Sequence, residues 1–187
     1  YGLNTKIPFS EHDNLNNCNS PYACSKLSME HFCNLYSKLY DIKTVGLRFF
    51  TVYGPRGRPD MAPYKFINAI LNNEEIIKYG DGTTMRDYTY VSDIIDGIES
   101  TIHNFDTLKN NIYNLGNNKP ISLNNFIELC ETVCGKKAKI KQIENQKGDV
   151  PTTYANITRA TNELNYNPKI ELLDGLNNFK LWLISTE

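Results

Sequence analysis

The sequence has none of the features that would place the protein in a membrane or on a nucleic acid. Its 187 residues contain no apolar run close to the roughly 18 residues that a membrane-spanning helix requires. The formal net charge is −1, and no long run of lysine and arginine offers a surface for phosphates or anionic lipids. We therefore expect neither a nucleic acid nor a membrane as a partner.

Cysteine and histidine are also scarce. The five cysteines form no Cys-x-x-Cys pair, and the three histidines are widely separated along the chain. An odd number of unclustered cysteines is typical of reduced thiols in a cytoplasmic protein and does not indicate a disulfide framework. Without a cluster of ligand residues the sequence gives no candidate metal site, and we predict no metal.

What the sequence does contain is an alternation of helical and strand patterns, which predicts an α/β fold. We predict helices at residues 21–40, 63–73, 92–103, 122–135, 156–164 and 172–185, and strands at 43–50, 75–80, 86–91, 111–116 and 138–143. Residues 51–63 are rich in glycine and proline and are predicted to form a loop. Ser92 or Asp93 is expected to cap the third helix, and Gly135 to end the fourth.

The stretch 20–26, "SPYACSK", holds the first candidates for chemistry. Ser20-Pro21 is a typical helix start, so Tyr22 and Lys26 fall four residues apart on one helical face. A positive charge beside a phenol lowers a pKa that is otherwise about 10, and the phenol can then act as a general base. A chain with 12 tyrosines is expected to contain about one Tyr-x-x-x-Lys by chance, so the spacing alone decides nothing.

The motifs around this pair, taken in order, are more informative. The chain runs from an initial "YG" through "SPYACSK", "VGLRFFTVYGP", "GRPDM", "YGDGTTMRDYTYVSDI" and "YNLGN" to "GDVPTTYANITRATNELNYNP". Over essentially all 187 residues this order resembles the extended short-chain dehydrogenase/reductase family of nucleotide-sugar epimerases and dehydratases. Within the family, "RFFTVYGP" followed by "GRPDM" is most similar to the UDP-glucuronate 4-epimerases.

The resemblance implies a fold and a division of the chain. Residues 1–60 would be the C-terminal part of a Rossmann-type NAD(P)-binding domain, and residues 61–187 a small α/β domain that binds the nucleotide sugar. The chain begins at Tyr1 without a methionine and contains no G-x-x-G-x-x-G phosphate-binding loop. The family's catalytic Ser or Thr would also precede Tyr1. We therefore expect this chain to be the C-terminal portion of a longer enzyme and to be inactive alone.

The resemblance also implies roles for residues around the cofactor, which would be NAD. Tyr22 would take the proton from the 4-hydroxyl of the sugar while NAD accepts the hydride from C4. Lys26 would bind the nicotinamide ribose and keep the phenol acidic. Phe49 and Val52 would line the cofactor pocket.

Further residues would bind a UDP-sugar substrate. Thr51 and Arg58 are expected to meet the carboxylate of a uronic acid, which an arginine can bind by a two-pronged hydrogen bond. Tyr79 would stack on the uracil, Arg86 would bind the diphosphate, and Asp149 would contact the ribose. The expected reaction is interconversion of UDP-glucuronate and UDP-galacturonate through a 4-keto sugar, in a homodimer formed through the Tyr22 helix.

Two positions depart from the family pattern and keep other interpretations open. Gln146 stands where the family usually has a second diphosphate-binding arginine, and Arg56 where its glucuronate epimerases usually have tryptophan. A sugar-nucleotide 4,6-dehydratase or a UDP-glucuronate decarboxylase of the same family is one alternative. The other is a non-catalytic fragment that binds nucleotide sugars or mediates dimerisation.

Overall fold

The computed structural model describes residues 1–109, 111–145 and 150–186 and has the predicted mixed α/β fold. The α-helices of these residues are α1 (Pro21–Tyr40), α2 (Ala62–Leu71), α3 (Val91–His103), α4 (Leu123–Cys134), α5 (Thr158–Leu164) and α6 (Leu172–Thr186). The strands are β1 (Gly46–Phe49), β2 (Thr51–Tyr53), β3 (Glu75–Tyr79), β4 (Met85–Tyr90), β5 (Ile112–Leu115), β6 (Pro120–Ser122), β7 (Lys139–Ile143) and β8 (Thr152–Thr153). None of these helices is both long and apolar enough to cross a bilayer.

The largest sheet is built around β4. The C-terminal half of β4 pairs in parallel with β2, and its N-terminal half pairs antiparallel with β6 and parallel with β8. In two further pairs, β1 is parallel to β5 and β3 is parallel to β7. The extended chain from β1 to β2 changes partner at Phe50, whose N–H donates to the carbonyl of Leu115 at 3.1 Å. Since β5 pairs with β1, a strand from beyond residue 60 contributes to the first part of the fold, and the division into 1–60 and 61–187 stays a prediction.

Two apolar clusters form the core. The larger one packs α2, α4 and α6 against β2 and β4, and the rings of Tyr88 and Phe126 stack there with centroids 4.3 Å apart. The smaller one packs α3 and α5 around β5, with Tyr113, Leu115 and Leu164 at its centre. Each large apolar side chain buried in this way stabilises the fold by about 1.5–3 kcal/mol.

The sequence-based prediction of a loop over residues 51–63 was wrong at its start, because Thr51–Tyr53 is β2. A β-branched pair and an aromatic residue favour a strand, and the glycine and proline residues that interrupt it begin only at Gly54, whose φ is 141°. The strands β6 and β8 were not predicted. Both have three residues or fewer and owe their conformation to pairing with β4.

The predicted cap of α3 was also wrong. The helix begins at Val91 with Tyr90 at the N-cap position, and no side chain caps it. The buried carboxylate of Asp93 instead accepts hydrogen bonds from the backbone N–H groups of Lys169 and Ile170, at 3.0 and 3.1 Å. At the end of α4, by contrast, the prediction was confirmed, since Gly135 takes a left-handed conformation with a φ of 67°.

Asp87 on β4 is a buried carboxylate bonded to three backbone amides. One oxygen accepts from the N–H of Asn117 at 3.1 Å, and the other from those of Asn118 and Ala155, both at 3.0 Å. The residue is fully buried, so water cannot replace these bonds without a rearrangement of the chain. This position and these hydrogen bonds give Asp87 a structural role.

We expect Asp87→Ala to lower the free energy of unfolding by about 3 kcal/mol or more, since it leaves two buried N–H groups and one part-buried N–H group without acceptors. Denaturant unfolding of the variant measures the effect. Asp96→Ala is the matched control, because Asp96 is exposed and only faces Lys169 across 3.7 Å. That control should change stability by less than about 1 kcal/mol. Equal small losses for both variants would contradict the structural role of Asp87.

Candidate active site

The N-terminal turns of α1 carry the predicted pair. The hydroxyl of Ser20 accepts a hydrogen bond from the N–H of Ala23 at 3.1 Å and Pro21 opens the helix, so α1 starts where the sequence predicted. The Nζ atom of Lys26 lies 5.4 Å from the centroid of the Tyr22 ring, within cation–π range. Tyr22 is 71% exposed, so its phenol is open to a ligand.

Tyr22 and Lys26 both line a cleft of about 810 Å³. One wall is the face of α1 that carries the pair, and another is the extended chain around β1. Phe49, which is 50% exposed, and Thr51 are part of the lining, as are Val150 and Thr153. A volume of this size falls within the range of about 300–1,000 Å³ that is usual for small-molecule sites.

Two predicted residues near the cleft have other environments. Val52 points away from the cleft and packs against the smaller apolar cluster, so the structure does not place it in the cofactor pocket. Arg58 lies outside the cleft lining in the exposed loop after β2, where it forms an ion pair with Asp60. The hydrogen bond to Asp60 raises the pKa of Arg58, and the nearby Tyr22 phenol contributes a smaller effect of the same sign. The Arg58 loop is therefore within electrostatic reach of the pair.

The remaining predicted residues lie elsewhere or outside the described structure. Tyr79 is half-buried at the end of β3, and Arg86 lies on β4, where one of its guanidinium N–H groups donates to the carbonyl of Met85 at 2.8 Å. Neither side chain lines the cleft that holds Tyr22. Asp149 falls outside the described residues. The structure thus brings together Tyr22, Lys26, Phe49 and Thr51.

A part-buried polar network along the cleft was not predicted, and Tyr1, Glu30 and Arg48 of this network line the cleft. Arg48 on β1 donates to both carboxylate oxygens of Glu30 on α1, with both distances 2.7 Å. Its third nitrogen donates to the Tyr1 hydroxyl at 3.0 Å, and that hydroxyl donates to the side-chain oxygen of Asn114 on β5. The side-chain amide of Asn114 donates in turn to the carbonyl of Phe9 at 2.9 Å. The network connects α1, β1, β5 and the N-terminal segment.

The charges in this network are strongly coupled. Burial alone would lower the pKa of Arg48, but the hydrogen bonds and charge of Glu30 and Tyr1 raise that pKa above its usual value. Burial raises the pKa of the Tyr1 phenol, and Arg48 opposes the rise. A sequence signal for the network did exist. An arginine within the apolar strand "VGLRFF" requires an acceptor, and Glu30 follows Lys26 by four residues on the same helical face.

The five cysteines are free thiols in two environments. Cys18, Cys24 and Cys33 are exposed, and Cys18 and Cys33 line the cleft. Cys130 and Cys134 are buried in α4, where burial raises the pKa of both thiols. Within the described parts of the chain, no group of three or more His, Cys, Asp or Glu side chains is arranged to hold a metal ion.

The structure thus places an exposed phenol–ammonium pair at a cleft beside parallel strands, an arrangement in which a phenol can act as a general base. A family model described as "NAD dependent epimerase/dehydratase family" matches residues 1–116. An uncharacterized protein of Methanocaldococcus jannaschii is 47% identical over the whole chain, which covers 57% of that protein. UDP-glucuronate 4-epimerase 4 of Arabidopsis thaliana is 38% identical over 99% of the chain and 46% of its own length.

The protein belongs to the NAD-dependent epimerase/dehydratase family. Its fold is similar to that of the UDP-glucuronic acid 4-epimerase of Bacillus cereus, solved in complex with UDP-glucuronic acid and NAD. The TM-score is 0.88 at 35% identity, over 97% of this chain and 58% of that one. The chain therefore spans about half to three fifths of the length of these relatives.

The positions of the cysteines give a direct test of the cleft. Maleimide labelling of the folded protein should modify Cys18, Cys24 and Cys33 quickly, whereas Cys130 and Cys134 should react only on unfolding. A ligand that fills the cleft should slow labelling of Cys18 and Cys33 in proportion to its occupancy. Cys24, which is not part of the lining, is the internal control. Peptide mass spectrometry with UDP-glucuronic acid and NAD measures the rates, and equal protection of all three sites would contradict this placement.

Proposed function

We propose that the protein to which this chain belongs catalyses NAD-dependent epimerisation at C4 of a UDP-hexuronic acid, interconverting UDP-glucuronate and UDP-galacturonate. The observation that carries the proposal is the exposed Tyr22–Lys26 pair at one wall of the 810 Å³ cleft. The family and the named epimerases that the chain resembles support the choice of reaction.

In this proposal Tyr22 is the general base. Its phenol lies at the mouth of the cleft, and the ammonium of Lys26 stabilises the phenolate that accepts the proton of the sugar 4-hydroxyl. The 4-hydroxyl loses its proton to Tyr22 and C4 loses a hydride, which leaves a 4-keto sugar. The sugar then presents its other face, C4 regains a hydride, and Tyr22 returns the proton to O4. The product differs from the substrate only in configuration, so no other reactant is consumed.

The residues of the cleft fit the nicotinamide end of NAD. The exposed Phe49 ring supplies an apolar surface for a flat ring, and Lys26 supplies a donor for ribose hydroxyls. When bound, NAD supplies the acceptor and then the donor of the C4 hydride. Val52 stays assigned to the cofactor through the family resemblance alone, since its side chain packs against the smaller apolar cluster and is not part of the cleft lining.

The proposed substrate contacts differ in how directly the structure supports them. Thr51 lines the cleft and can donate its hydroxyl to a uronate carboxylate. Arg58 is near Tyr22 and would exchange its exposed partner Asp60 for that carboxylate. Tyr79, Arg86 and Asp149 remain assigned to the uracil, the diphosphate and the ribose through the family resemblance.

A homodimer formed through α1 is the proposed assembly. None of the residues of α1 is buried, and several of its apolar side chains are exposed, among them Met29, Phe32, Leu35, Tyr36 and Leu39. Such a surface is unusual for a helix that stays in water and indicates that α1 packs against another part of the protein. The division into a cofactor domain (residues 1–60) and a substrate domain (residues 61–187) is proposed together with this assembly.

We expect Tyr22→Phe, made in the enzyme that contains these residues, to lower kcat by roughly 10²–10⁴-fold and leave UDP-sugar binding almost unchanged. The ring stays and only the proton acceptor is lost. Epimer formation and calorimetric binding measure the two effects. Tyr64→Phe on α2 is the control, since Tyr64 lies outside the cleft lining and its ring keeps its contact with Phe179. Turnover within a few-fold of the wild type would exclude Tyr22 as the base.

We expect Arg58→Ala to weaken turnover of UDP-glucuronate more than that of UDP-glucose, because only the uronate offers a carboxylate to the guanidinium. The comparison of kcat/KM for the two sugars removes effects on folding. Arg56→Ala is the matched control in the same exposed loop and should not discriminate between them. Equal losses for both sugars would assign Arg58 to the diphosphate or to structure, and would favour a decarboxylase or a dehydratase.

A further inference from the structure

Glu30 shares the face of α1 that carries the proposed catalytic pair. Tyr22, Lys26 and Glu30 follow one another at intervals of four residues, and all three line the cleft. On an isolated helix a lysine and a glutamate four residues apart attract each other. A Glu30 carboxylate bound to Lys26 would neutralise the charge that the phenol of Tyr22 requires.

Arg48 prevents that pairing. Its guanidinium binds both oxygens of Glu30 at 2.7 Å, and the two side chains are only 14% and 22% exposed. The guanidinium is held in place from its other side, because it donates to the Tyr1 hydroxyl and lies over the Tyr1 ring, with 4.9 Å from Cζ to the centroid. A buried two-pronged pair of this kind is stronger than an exposed contact between Lys26 and Glu30 would be.

The ammonium of Lys26 therefore remains available to the phenol of Tyr22. Within the described ranges Lys26 forms no ion pair. Its Nζ atom lies 5.4 Å from the centroid of the Tyr22 ring. Because α1 buries none of its residues, the Glu30–Arg48 pair is also the strongest polar contact between α1 and the strands.

We propose that Arg48 is a positioning residue for the Tyr22–Lys26 pair, which it serves by holding the Glu30 carboxylate away from Lys26. This inference rests on the proposed role of Tyr22 as the base. In this proposal Arg48, which is itself part of the cleft lining, acts through Glu30 and Lys26 and not on the reacting atoms. Removal of the Arg48 charge frees Glu30 to pair with Lys26, and the phenolate of Tyr22 loses part of its stabilisation.

Other charged and titratable groups near the pair are Cys18 in the N-terminal segment, Cys33 on α1, and Arg58 with Asp60 in the loop after β2. The Tyr1 phenol also lines the cleft, and it loses its Arg48 donor equally in the single and the double variant. The decisive comparison is therefore between variants that differ only at positions 30 and 48.

The first test is the pH dependence of kcat/KM in the active enzyme that contains this chain. In Arg48→Gln the acidic limb of the kcat/KM profile should move to higher pH by roughly 0.5–1 pH unit at low salt. The double variant Arg48→Gln/Glu30→Gln should restore the wild-type limb, since no carboxylate remains to compete for Lys26. Arg48→Lys, which keeps the cation, should also stay close to the wild type. If Arg48 has a purely structural role, all three variants should have a lower kcat, and their acidic limbs should lie at the same pH as that of the wild type.

The second test needs no activity and works on the chain itself. Near-ultraviolet tyrosinate absorbance is titrated for each variant with and without Tyr22→Phe, and the difference isolates the Tyr22 phenol. Its midpoint should move with Arg48→Gln and return in the double variant, even if the protein has a function other than epimerisation. An unmoved midpoint, or a shift that the double variant does not reverse, overturns the inference.

A third measurement covers the case in which Arg48→Gln does not fold. The carboxyl carbon of Glu30 is titrated by NMR in the wild type and in Lys26→Ala. If Arg48 holds the carboxylate, the midpoint of Glu30 should rise in Lys26→Ala by at most about 0.3 pH unit, the effect of a nearby unpaired charge. A rise of about 1 pH unit or more would show that Glu30 pairs with Lys26, and would contradict the proposal.

Discussion

The carboxylate of Asp87 joins β4 to two other stretches of chain where the sheets of this protein meet. Its two oxygens accept hydrogen bonds from the backbone N–H groups of Asn117 and Asn118, which follow β5, and of Ala155, which follows β8. The approach is close enough to require glycine at position 116, since a Cβ there would lie 2.5 Å from that of Ala155. Because β5 also pairs with β1, the same carboxylate sets the position of β1 relative to β4, and with it one wall of the cleft.

Elements whose signals are local were predictable from the sequence. α1 starts at Ser20-Pro21 and α4 ends at Gly135, because a cap and a left-handed glycine act within a few residues. The partner strand of β2 and the hydrogen-bond partners of Asp87 and Asp93 were not predictable in this way. These partners are distant in sequence, as in the bond from Ile170 to Asp93. Local propensity carries no information about such partners.

The residues of the candidate site also differ in whether their positions follow from local sequence signals. Tyr22 and Lys26 are four residues apart on one helix, so their proximity follows from helical geometry alone. The inward direction of Thr51 and the outward direction of Val52 depend on β2 being a strand, in which neighbouring side chains alternate. A loop assignment gave no reason to separate them. The bond from Arg48 to Glu30 joins a strand to a helix 18 residues away, and the order of residues does not specify it.

Three cations lie around the cleft, and burial determines what each one can do. Arg48 stays bound to Glu30, because breaking this ion pair would leave two unpaired charges in a largely buried place. Arg58 is 75% exposed and pairs with a carboxylate that is 56% exposed, and a contact of this kind is worth at most about 1 kcal/mol. A carboxylate on a bound sugar can therefore replace Asp60 at small cost. Lys26 is exposed, and under the proposal above its charge stays available to Tyr22 because Arg48 binds Glu30.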